Sequence, residues 1–317
     1  MATKQVIGRV DQKTQALGLA YERRIRKTQT AVWASVAAAE HERQAIHLRR
    51  QHANTGIERG RFSLPHEGWW AIASSRQALY LEGQRHPQKR MIDDMARHAP
   101  SSRQAFYSYL WPMLSPQTDL KGCMRKVIGF GEAKLDTLVS SLLAGEARSA
   151  SEYLGDLDTT ATLVARIRLL MDGKKVDEAF NAGCALTQML CYHAVHPLFA
   201  AKASMLWDLV AEGVLADLRS HEFAFSRCRE GFEGFAAVLW ARLQSVKCLY
   251  GIHRLVSGPE LSWSTMVDLS QECIRGFSTP DLDRPDILQS FLDADKHSGR
   301  RASELLDRDP LFIRVGR

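Results

Sequence analysis

Three observations predict an all-α fold for this chain. Long stretches carry apolar residues at helical spacing with almost no glycine or proline inside them. Helix-ending signals separate those stretches at lengths ordinary for helices. Strands lack their signature: nowhere does apolar and polar character alternate for long between turn signals, and only Leu311–Val315 has extended character. The expected architecture is a long N-terminal helical hairpin followed by a multi-helix bundle, with essentially no β-sheet.

The first element is the longest. Residues 10–53 contain no proline and a single glycine, Gly18. Ile25, Val32, Ala39, Ile46 and Ala53 recur at a seven-residue period, which predicts a helix docked along one narrow seam. The positions between them hold Thr28, Ser35, Glu42 and Arg49, too polar for an autonomous coiled coil. A turn follows around Asn54-Thr55-Gly56 and Gly60. Ser63 then reads as an N-cap, with Pro65 in the first turn, where its missing N–H costs nothing. The second helix runs through Trp69, Trp70, Ile72, Leu79 and Leu81 and stops near Gly83, before His86-Pro87. Together the two helices form an antiparallel hairpin.

Further along, Ser101-Ser102-Arg103-Gln104 reads as a capping box, and Pro112 is expected to end the helix it opens. Gly122, Gly129 and Gly131 mark a loose stretch. The domain boundary is placed there, giving a basic hairpin region over 1–115, a loop over about 115–131 and a bundle over 132–317. Within the bundle, Asp172-Gly173-Lys174-Lys175 joins two helices, His196-Pro197 separates the next pair, and Ser257-Gly258-Pro259 closes a later one. Residues 163–190 resemble a single tetratricopeptide-type hairpin, but no second or third copy follows, so a repeat solenoid is not expected.

With 45% hydrophobic and 25% charged residues among 317, the chain has the composition of a globular protein. Six cysteines are scattered singly without a CxxC pair, which suits reduced, buried thiols and a cytoplasmic location. No apolar leader opens the sequence and no apolar run is long enough for a bilayer, so no membrane association is expected.

Most chemistry is excluded by spacing. Cys184, Cys191, His193 and His196 invite a zinc reading, yet Cys184 and Cys191 fall within about 20° of each other on a helix while His193 points the opposite way. Neither Glu-x-x-His nor His-Glu-x-x-His occurs, which removes the helical di-iron and zincin classes. Gly129-Phe130-Gly131 has no third glycine and no preceding strand. Asp93-Asp94 lacks the third carboxylate of a metal-diphosphate motif. Arg43 to His47 and Arg90 to His98 both miss the Arg–His spacing of helical ribonuclease toxins. Neither metal nor cofactor is expected. If a catalytic site exists, it would be assembled from polar residues interrupting apolar helices: His193, His221, Glu222, Arg227 and His253.

Charge is the informative remainder. Of the net +6, residues 1–110 hold 18 Lys/Arg against 9 Asp/Glu, and residues 111–317 hold 24 against 27. The first third therefore suits an acidic or polyanionic partner. Its candidate binding residues are Arg23, Arg24, Lys27, Arg43, His47, Arg49, Arg50, Arg59 and Arg61. Trp69 and Trp70 are added as stacking faces for bases. On a straight helix Arg43, His47 and Arg50 share one face, with Arg23 and Lys27 roughly opposite. Two functions follow from this distribution. One is an interaction or scaffold protein that docks another protein through its basic helices. The other is a nucleic-acid-binding regulatory or mobile-element accessory factor that uses backbone contacts.

Overall fold

The computed structural model describes residues 2–54, 68–120, 132–144 and 153–218, with short helical pieces at 232–233, 236–237, 239–240, 267 and 270–271. Among these residues 81% are helical and none lies in a strand, as the spacing predicts. No helix among them is long and apolar enough to cross a membrane. Asn54, expected in a turn, still belongs to the first helix; the rest of that turn at 55–63, the helix closed at Ser257 and the extended end at 311–315 lie outside the described residues.

One helix organises the rest. α1 spans Ala2–Asn54, 53 residues, and at 1.5 Å per residue it is about 80 Å long. Its middle is buried on every face: Thr30, Ala31, Val32, Trp33, Ala34, Ser35, Val36 and Ala37 all lie out of solvent. This corrects the expectation of a single thin seam. The reason lies in the window between Lys27 and Glu40, which has no charged residue and is mostly small. Small side chains let neighbours close in from all sides, and no charge must be kept wet. Thr28 and Ser35, which looked too polar for a seam, are accordingly buried too.

The returning chain runs antiparallel to α1, as expected for a hairpin, but the single helix expected through Trp69 to Leu81 is broken at Ile72-Ala73. A 3-10 turn, Gly68–Ala71, precedes α2, Ser74–Leu81. The Trp69 N–H donates to His41 Nε2, Tyr80 sits edge-on to Trp33 at 5.6 Å, and Gly83 passes beneath the Lys27 carbonyl. Descending contacts at 41, 33 and 27 define the direction. Gly83 takes φ +68°, a left-handed conformation that suits glycine, and a Cβ there would strike the Lys27 backbone.

α3, Lys89–Ala96, leads into α4, Pro100–Tyr107, and α5, Leu110–Leu114, which run back along another side of α1. Gln44 donates to the His98 carbonyl at 2.5 Å, Gln29 donates to the Phe106 carbonyl at 2.8 Å, and Ser115 donates to Glu22. The capping box fails here. Ser101 lies inside α4 and donates both its N–H and its hydroxyl to Glu40, at 3.0 and 2.8 Å. Pro112 does not end the helix; it sits in the first turn of α5, where it removes no needed donor.

The bundle comprises α6, Glu132–Leu143; α7, Leu157–Asp172; α8, Val176–Val195; and α9, Ala203–Gly213, with 3-10 turns at Ala200–Lys202 and Leu215–Leu218. Asp156 caps α7 by accepting from the Thr159 N–H at 2.8 Å. α8 is apolar nearly all round because α6, α7 and α9 surround it. α7 also grips α5 at both ends. Asp158 accepts from Ser108 Oγ and the Tyr109 N–H at the N-terminal side, and Arg168 donates to the Met113 and Ser115 carbonyls at the other. Each charge has the sign that the helix dipole favours.

Two cores result. The larger joins Ile25, Val32 and Val36 of α1 with α5 and the bundle. The smaller packs Trp33, Ala34 and Ala37 against Trp69, Tyr80, Ile92, Met95 and Phe106. α1 is the wall between them. The larger core thus draws on residues both before and after the loop expected at 115–131, of which 121–131 lie outside the described residues.

Candidate functional surface

The basic residues of α1 fall into two groups separated by its buried middle. Arg23, Arg24, Arg26 and Lys27 are exposed on the near side, while Ile25 between them is buried. Arg43 is exposed on the far side. From Lys27 to Arg43 the rise is about 24 Å, and residues 30–37 in between are covered by protein. No single groove along α1 can therefore hold both groups.

Within the near group, Arg24 is paired with Glu212 of α9. Among the described residues no carboxylate lies within ion-pair distance of Arg23, Arg26 or Lys27. The turn after α2 brings more cations beside them. Gly83 lies against Lys27, and His86 Nδ1 lies 3.0 Å from Thr30 Oγ1, so the segment is pinned to α1 at both ends. Between and just beyond these anchors, Arg85 and Lys89 are exposed. The Arg26 charge reaches His86 and, after burial, is the second cause of its lowered pKa. The result is a surface of Arg23, Arg26, Lys27, Arg85 and Lys89 interrupted by Glu82, which accepts from Gln84 at 2.6 Å. Arg85 and Lys89 were missed from the sequence, although Arg85-His86-Pro87-Gln88-Lys89-Arg90 is itself a basic run. Arg90 differs in being turned to Asp94 at 3.8 Å.

The far group is less defined. His47, Arg49 and Arg50 continue α1, their side chains lying outside the description, as do residues 59 and 61 altogether. Trp69 does not offer a stacking face. It is 3% exposed and packs edge-on to Trp33 at 6.3 Å inside the smaller core. Trp70 belongs to the same 3-10 turn, its side chain outside the description. The sequence pattern missed this burial because Trp33, its partner, is 36 residues away.

The polar residues singled out as catalytic candidates divide likewise. His221, Glu222, Arg227 and His253 lie outside the described residues. His193 is fully buried, with Nε2 2.8 Å from Thr160 Oγ1. The Thr160 hydroxyl proton goes to the Asp156 carbonyl at 2.9 Å, so His193 Nε2 is the donor in that pair and Nδ1 carries the lone pair. Nδ1 has no hydrogen-bond partner, and burial lowers the His193 pKa to about 3. His196 accepts the Leu198 N–H at Nδ1 and is likewise lowered to about 3, first by burial. Cys191 is buried and Cys184 half-buried, and desolvation pushes both thiols up. Among the described residues no three His, Cys, Asp or Glu side chains gather as a metal ion would need. Comparison of the chain with protein-family models, with curated proteins and with solved structures found no match.

Proposed function

We propose that this chain is a helical scaffold that docks an acidic segment of another protein on the surface formed by Arg23, Arg26, Lys27, Arg85 and Lys89. The observation that carries the reading is that two segments bearing these exposed cations meet at Lys27 and Thr30, with no described carboxylate in ion-pair distance of Arg23, Arg26 or Lys27. Clustered unpaired cations raise the local potential and speed the encounter with an anionic partner. The rigid backing adds to this. Thr30 and Gly83 hold the turn against α1, so little order must be gained on binding.

Nucleic acid is the second reading, favoured by the same cations, since phosphates take Arg and Lys equally well. Burial of Trp69 takes away one of the stacking faces that single-strand binding would use. The test is fluorescence anisotropy with labelled polyglutamate, duplex DNA and single-stranded RNA, at about 50 and 150 mM salt. The native chain is compared with Arg23→Glu/Arg26→Glu/Lys27→Glu, its fold checked by circular dichroism. Polyglutamate binding that falls at least tenfold in the variant supports the protein reading. Selective binding of DNA or RNA transfers the surface to nucleic acid. Absence of binding to all three at low salt ends both.

A further inference from the structure

The smaller core contains a histidine whose hydrogen bond works only when the ring is neutral. His41 is 6% exposed on α1, and its Nε2 faces the Trp69 backbone N–H at 3.2 Å. A backbone N–H can only donate, so Nε2 must present its lone pair and the proton sits on Nδ1. An imidazolium would place N–H against N–H at this point. The His98 ring lies 5.9 Å away, and its charge opposes a proton on His41.

Among the described residues no neighbouring carboxylate offsets that charge. Glu40, next in sequence, directs both its oxygens to Ser101 on α4. Glu42 and Arg43 of α1 are exposed, and Arg97 at the end of α3 is turned to Asp94 at 2.5 Å. The 3-10 turn itself, Gly-Trp-Trp-Ala, brings no ionisable side chain. His98 is the one side chain among the described residues whose charge bears on His41.

We propose that His41 is an acid-operated latch: a proton taken from solvent onto Nε2 breaks its bond to the Trp69 amide and frees the Gly68–Ala71 turn from α1. Opening uncovers Trp69 and the Trp33 ring beneath it, an apolar surface that the closed chain hides. The latch goes beyond the docking reading and stands whether or not that reading does. His193 and His196, buried in and around the larger core, are also held neutral by burial.

Amide hydrogen exchange of the full chain at pH 7 and pH 5 tests the idea, with protection corrected for the intrinsic rate. An imidazole of ordinary pKa near 6.5 in the open state, and excluded from protonation in the closed state, shifts opening by up to about 25-fold over this range. The comparison variant is His41→Gln, whose side-chain oxygen accepts the same bond without titrating. Protection at Trp69 is expected to fall up to about 25-fold more in the native chain than in His41→Gln; acid effects elsewhere are common to both and cancel. Equal falls in the two proteins overturn the latch. If the variant does not fold, nuclear magnetic resonance of the native chain decides. Loss of Trp69 protection that tracks His41 ring titration supports the latch, and a ring that titrates while the amide stays protected overturns it.

Discussion

Gly83 and Gly173 each follow a helix, and they are expected to respond differently to alanine. Gly83, after α2, has φ +68°, and its missing Cβ would land on the backbone carbonyl of Lys27. A left-handed conformation costs a β-carbon-bearing residue about 1–2 kcal/mol. Reduced freedom of the unfolded chain returns about 0.4–1 kcal/mol of that. The collision adds the larger part. Lys27 belongs to the central helix and cannot retreat, so the turn must lift and weaken the His86–Thr30 and Tyr80–Trp33 contacts. A net loss of about 2–4 kcal/mol is expected for Gly83→Ala. Gly173, after α7, has φ −80°, and a Cβ there meets the Leu169 and Leu170 carbonyls at 3.4 and 3.5 Å, ordinary contact distances. Gly173→Ala should therefore stay within about 0.5 kcal/mol of the native chain. Urea unfolding followed by circular dichroism, compared by midpoint at constant slope, reads both. A Gly83→Ala protein as stable as the native one would refute the packing of the turn against α1, and an equal loss in Gly173→Ala would refute the distinction between the two turns.

Four further outcomes follow from named contacts. At the same turn as Gly173 the left-handed residue is Lys174, φ 57°, so Lys174→Gly should gain a few tenths of a kcal/mol to about 1, measured by the same midpoint; a loss would mean the lysine side chain matters more than its backbone. Trp33→Ala removes the ring that Trp69, Tyr80 and Phe106 all meet edge-on, and should cost about 3–5 kcal/mol in urea; a cost below 1 would mean the smaller core is not packed as described. Arg168→Met strands the Met113 and Ser115 carbonyls, with an expected loss of about 2–3 kcal/mol by thermal or urea unfolding, and no loss would show that α5 needs no clamp. Finally, burial depresses the His193 pKa to about 3, so between pH 6.5 and 3 the unfolded chain binds a proton that the native chain refuses. Stability is then complete above pH 6.5 and falls by about 1.4 kcal/mol per pH unit below it, with a smaller decrement from the partly exposed His196. Urea midpoints at pH 7.5, 6 and 5 check the slope, which His193→Gln should reduce; a flat native profile refutes it.

The parts of the fold legible in sequence were those fixed by local chemistry. Glycine after α2, the Asp172–Lys175 turn and His196-Pro197 all mark helix ends where backbone geometry alone decides. The misreadings came where a distant partner decides. Ser101 has the sequence of a cap, but Glu40, 61 residues earlier, takes its hydrogen bonds and draws it inside α4. Pro112 reads as a stop, yet Ser108 had already broken the helix, so the proline could open α5. The candidate surface was half visible. Arg23, Arg24 and Lys27 are exposed, but the approach of the segment carrying Arg85 and Lys89 depends on the Gly83 turn, which no helical wheel contains. Trp69 was misplaced for a related reason, since aromatic pairing across a hairpin leaves no periodic trace.

The uncharged window between Lys27 and Glu40 ties these observations together. A helix that must be covered on all sides cannot carry charge where it is covered, so its cations are pushed to either end of the covered stretch. This alone splits the basic residues of α1 into two groups about 24 Å apart. Near Lys27 a second basic segment folds back and adds its cations. Near Arg43 the charge bears on His196. The same requirement that makes α1 a wall between two cores thus places its described cations on either side of the covered stretch. Replacing Ala34 by lysine would test the dependence, because a charge buried there has no partner among the surrounding apolar rings. The expected loss is at least 3 kcal/mol, and the smaller core should open first. A folded variant with near-native urea stability would show that the middle of α1 is not sealed, and the division of the basic surface would then need another cause.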